Sequence, residues 1–62
     1  MQLDLNMDPN ILVSIVNMKL RNDFENIEDL CKYYDIEKDD LDRALDKNNY
    51  FYCESNAQYL IK

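Results

Sequence analysis

A chain of 62 residues with 47% apolar content and a net charge of −6 reads as one domain spanning 1–62, near the lower size limit for independent folding and too apolar for a disordered acidic tail. Its acidity argues against a nucleic-acid backbone or an anionic membrane as partner, because both repel acids. With no histidine and no CxxC pair, a zinc site is not expected, and the longest apolar run is too short to span a bilayer.

Residues 1–8 alternate, with Met1, Leu3, Leu5 and Met7 on one side and Gln2, Asp4, Asn6 and Asp8 on the other. Period two is the signature of a half-buried strand. A short N-terminal strand is therefore predicted, beside a hairpin of this chain or of a neighbour. The alternative is a loose terminus whose alternation is accidental.

Asp8-Pro9 opens a helix over about Pro9 to Asn22. The Asp8 carboxylate suits the N-cap, and proline fits the first helical position, where its missing N–H costs nothing. On a helical wheel Asn10, Ser14, Asn17 and Arg21 form one polar stripe. Ile11, Leu12, Val13, Ile15, Val16, Met18 and Leu20 cover most of the remainder. A helix on one small core needs a single apolar stripe, so this helix is expected to be covered from two directions.

Asn26 is placed to cap a second helix, with Asp29 as a short-armed capping-box partner; that helix ends near Tyr34. Asp35 takes the left-handed turn position that glycine usually fills. A third helix is predicted over about Glu37 to Lys47 and stopped by Asn48-Asn49. Leu30, Cys31, Tyr34, Ile36, Leu41, Ala44 and Leu45 face inward, with small Cys31 and Ala44 where the helices approach. Tyr50 to Cys53 and Gln58 to Ile61, separated by the polar Glu54–Ala57, read as a hairpin. The fold class is α+β: a small winged-helix or helix-turn-helix-like domain of three helices followed by a C-terminal β-hairpin.

The chain resembles a family of small bacterial proteins classed as a domain of unknown function. The resemblance rests on Asp8, Pro9, Leu12, Ser14, Val16, Asn17, Lys19, Leu20 and Arg21, then on Asn26 to Cys31, and finally on Asn49, Tyr50, Tyr52, Ala57, Gln58 and Tyr59 in the tail. Asn49 stands where the family has glycine, and Ala57 where it has asparagine. The resemblance implies the fold and carries no established activity.

The outward positions of the third helix are predicted to be Glu37, Lys38, Asp39, Asp42, Arg43 and Asp46. Base readout and phosphate anchoring need Arg, Lys, Asn or Gln, so this acidic helix is a poor DNA reader. Ser14, Asn17 and Arg21 allow two readings. One is a carboxylate or phosphate site with Arg21 binding in bidentate fashion. The other, favoured here, pairs Arg21 with Asp23 or Asp29 and sets Asn17 against backbone groups at a packed contact. Tyr34 and one hairpin face belong to the core, while Tyr33 and the opposite face are interface candidates.

Catalysis has little support: there is no histidine base, no glycine-rich phosphate loop, and Cys31 has no activating partner. No enzyme, cofactor or metal is expected. Cys31 and Cys53 read as unpaired small hydrophobes suited to a reducing cytoplasm. The leading function is a protein-interaction module that works as a homodimer through helix one, using Ile11, Ile15 and Met18 or, on the other flank, Val13, Val16 and Leu20. The alternative is nucleic-acid-linked regulation, by direct binding through Lys19, Arg21, Lys32 and Lys47 or by acidic mimicry of DNA.

Overall fold

The structure, a computed structural model, describes residues 3–62. Helices α1 (Pro9–Asn22), α2 (Ile27–Tyr34) and α3 (Lys38–Asp46) precede strands β1 (Tyr50–Cys53) and β2 (Gln58–Ile61). This is the α+β order expected from the sequence, three helices and then a hairpin.

The helix ends follow from their caps. Asp8 Oδ1 accepts the Asn10 amide at 2.9 Å, with Pro9 next in line. Asn26 Oδ1 accepts the Asp29 amide at 2.9 Å. Each bond satisfies one of the donors that a helix start leaves without an intrahelical partner. α2 closes on Asp35, which is left-handed at φ 57°. The Ile36 amide then reaches back to the Cys31 carbonyl at 3.0 Å, so the chain reverses into α3 without glycine.

Leu12, Val16, Ile27, Leu30, Leu41 and Leu45 are fully buried, so all three helices feed one core. Each such side chain contributes about 1.5–3 kcal/mol of transfer free energy. Cys31 and Ala44 are buried where small residues were expected. β1 packs mainly on α3 and β2 mainly on α1. The hairpin is antiparallel, with Tyr50 opposite Ile61, Phe51 opposite Leu60, Tyr52 opposite Tyr59 and Cys53 opposite Gln58.

The amino-terminal segment departs from expectation. Among the described residues the sheet has two strands only, and the segment before α1 is a turn rather than a strand. The Met7 amide bonds the Asp4 carbonyl at 3.2 Å, and the Asn6 amide bonds Asp4 Oδ1 at 2.9 Å. An aspartate that offers its own side chain to the backbone two residues on competes with strand pairing. The alternation survives as burial: Leu3 is buried and Leu5 and Met7 are half-buried, while Asp4, Asn6 and Asp8 are exposed. Met1 and Gln2, the start of the predicted strand, lie outside the described residues.

Two further positions have left-handed backbones, Asn49 at φ 67° and Ala57 at φ 52°. Asparagine tolerates this region, whereas a Cβ there costs alanine on the order of 1–2 kcal/mol. These are the positions where the resemblance above sets glycine and asparagine.

Candidate functional site

Two residues of the polar stripe of α1, Asn10 and Asn17, form a seam against the hairpin. Asn17 Oδ1 accepts the Tyr59 amide at 2.8 Å, and Asn17 Nδ2 donates to the Tyr59 carbonyl at 3.0 Å. The side-chain amide thus pairs with both backbone groups of one strand residue, as a neighbouring strand would. Gln58 Nε2 returns a bond to the Asn17 carbonyl at 3.1 Å. Two turns earlier, Asn10 Oδ1 accepts the Tyr50 hydroxyl at 2.8 Å and Asn48 Nδ2 at 3.4 Å.

The sequence grouped Ser14, Asn17 and Arg21, but they do not turn toward a common point. Ser14 is exposed and donates to the Asn10 carbonyl at 3.0 Å. Arg21 is exposed and has no ion pair among the described residues. Its expected partner Asp23 is taken by Lys19 at 3.4 Å. Asn17 meets backbone groups at a packed contact, as the structural reading of the stripe had it.

Below the seam, Tyr59 is 2% exposed and donates its hydroxyl to Asp42 Oδ1 at 2.5 Å. Asp42 Oδ2 accepts Lys38 Nζ at 2.7 Å. The Lys38 ammonium also lies 5.7 Å from the centre of the Tyr52 ring, within cation–π range. Burial, with the Asp42 carboxylate second, holds the Tyr59 phenol far above its ordinary range. The Asp42 bond raises Lys38. Burial and then the Asp42 charge raise the Cys31 thiol, which keeps it protonated and a weak nucleophile at neutral pH. Cys31 and Cys53 are both free thiols.

Sequence reasoning set Lys38 and Asp42 among the outward positions of α3; both are half-buried beneath the hairpin. It also left the roles of Asn10, Gln58 and Tyr59 unassigned. The available signal was the seven-residue spacing of Asn10 and Asn17, two turns on one helix face.

A groove of about 540 Å³ runs between α3 and β1, with Tyr50, Phe51 and Tyr52 on the strand side and Asp39, Asp42 and Asp46 on the helix side. Elsewhere Phe24, Tyr33 and Tyr34 pack edge-to-face or tilted at 5.0–6.2 Å between ring centres, with Tyr33 72% exposed.

The model of the domain of unknown function DUF4250 matches residues 6–59, which includes the Asn17 seam, all of β1, the first two residues of β2 and the Asp42 chain. The chain belongs to this family. No curated protein and no solved structure matches it.

Of the six apolar residues proposed for an interface on α1, Val13, Val16 and Leu20 are buried in the domain's own core. Contrary to expectation, that flank has no surface to offer a partner, because its side chains are part of the core cluster. Ile11 and Met18 are 53% and 45% exposed, and Ile15 is half-buried between them. Among the described residues no helix is long and apolar enough to cross a membrane.

Proposed function

We propose that this domain is a non-catalytic protein-interaction module that self-associates through the Ile11, Ile15 and Met18 flank of α1. The observation that carries the reading is the exposure of Ile11 and Met18 on a helix whose opposite flank is fully used by the core. The three residues stand at i, i+4 and i+7, which aligns them as one apolar stripe. A chain of this length buries only about 60% of the surface its unfolded form exposes. A two-fold pairing of the stripe would add burial without new sequence. The high proton affinity of the Cys31 thiol and the Tyr59 phenol supports a non-catalytic role, since neither is an activated nucleophile.

Analytical ultracentrifugation at micromolar concentration tests the reading. The expected mass is that of two chains, falling to one for Ile11→Asp with Met18→Glu, both of which change exposed positions. A one-chain mass for the unaltered protein, together with a cooperative melt, would overturn it.

A further inference from the structure

We infer that the groove between α3 and β1 docks an extended, lysine- or arginine-bearing segment of a partner protein, which adds to the hairpin as a third strand along β1. The inference does not depend on self-association through α1, because it uses a different face.

The first support is the state of the strand edges. In an antiparallel pair, residues alternate between those that bond their partner strand and those whose amide and carbonyl point away from it. Tyr59 points away, since both its groups go to Asn17. Its opposite residue Tyr52 therefore points away on the other side, and so does Tyr50 two residues before it. Among the described residues the backbone groups of Tyr50 and Tyr52 have no hydrogen bond outside the hairpin. The β2 edge is sealed at Tyr59, and the β1 edge is open.

The second support is where the groove lies. Tyr50, Phe51 and Tyr52 are consecutive, yet all three line it. Successive side chains of a strand point to opposite faces. Three in a row line one groove when it runs along the edge of the strand, where backbone as well as side chains form the wall. The open backbone groups therefore face this groove, in the geometry of strand addition.

Charge identifies the occupant. The lining carries Asp39, Asp42, Asp46 and Glu54 against Lys38 and Arg43. Both cations are already paired, Lys38 with Asp42 at 2.7 Å and Arg43 with Asp40 at 3.1 Å. Asp46 is paired in turn with Lys62 at 2.5 Å, which leaves Asp39 and Glu54 as the lining acids with no ion pair among the described residues. A strand with cations at alternate positions would present them all on one face, toward these carboxylates, while its backbone pairs with Tyr50 and Tyr52. A second copy of this chain fits poorly there, because it would bring its own Glu54 and acidic α3 against the same acids.

The test is titration of the isotope-labelled protein with a blocked peptide of alternating lysine and valine, followed by amide shifts and hydrogen exchange. The lysine peptide is expected to shift Tyr50 to Glu54 and the facing α3 residues, and to slow exchange at the Tyr50 and Tyr52 amides at least tenfold. The Tyr59 amide should not change. Binding should weaken about fivefold to tenfold for Asp39→Asn with Glu54→Gln, two exposed changes. It should vanish for the peptide N-methylated at alternate residues, which cannot pair as a strand. Equal binding of an alternating glutamate–valine peptide, shifts confined to another surface, or no shift at all would overturn the inference. So would protection of Tyr50 and Tyr52 that grows with protein concentration in the absence of peptide, because a second copy would then be the occupant.

Discussion

On the β2 edge of the hairpin, the amide and carbonyl of Tyr59 are held by the side chain of Asn17, whereas on the β1 edge those of Tyr50 and Tyr52 face a groove bordered by acids. The same two-stranded sheet thus has one edge closed by its own helix and one edge left to solvent. Exposed edges invite pairing with other chains. A chain this small closes one of them with a single side-chain amide in place of a whole strand. The difference also explains the polar stripe on α1: its asparagines are spaced to meet the hairpin, and the apolar residues beside them meet the core.

The largest expected effect is at the closed edge. Asn17→Ala leaves both backbone groups of Tyr59 without partners in a part-buried setting and should cost about 2–3 kcal/mol. Chemical denaturation would measure it, and a loss under 0.5 kcal/mol would remove Asn17 from its place as the edge closure. Next is Tyr59→Phe, which deletes the bond to Asp42 and should cost about 1.5–3 kcal/mol. The same residue sets an alkaline limit. Its folded proton affinity is raised above the ordinary value near 10, so its contribution is fully present below pH 10 and is lost as pH rises above it. Lys38, also raised, acts in the same direction. Melting temperature against pH should therefore fall above about pH 10, and less steeply in the Tyr59→Phe protein.

Smaller effects sharpen the contrast. Ala57→Gly should stabilise by about 0.5–1 kcal/mol, because glycine holds φ 52° without a Cβ clash; a thermal melt that moves down would contradict the turn geometry. Ser14→Ala and Arg21→Ala should each stay within about 0.5 kcal/mol. Were either to match Asn17→Ala in denaturation, the stripe would be a cooperative unit rather than one closure beside two solvated side chains.

Much of this architecture was legible in the sequence. Asp8-Pro9 and Asn26 marked the helix starts through their capping chemistry, and the inward residues of α2 and α3 followed from helical spacing. The closure of the hairpin edge could not be read, because it depends on Asn17 meeting a strand residue forty-two positions later. The terminal alternation predicted a strand, but periodicity records which side chains turn inward and not whether the backbone pairs. Asp4 resolves that locally, by bonding its own neighbours. Asp42 looked like one more acid on a solvated face; only the fold brings the Tyr59 hydroxyl onto it.

Residue-resolved amide hydrogen exchange of the dilute protein tests the contrast between the edges most directly. The Tyr59 amide should exchange only on global unfolding, while the Tyr52 amide, opposite it on β1, should exchange at least a hundredfold faster, a gap of about 2.7 kcal/mol in opening free energy. Equal protection of the two amides would contradict the account, since the β1 edge would then be closed as the β2 edge is.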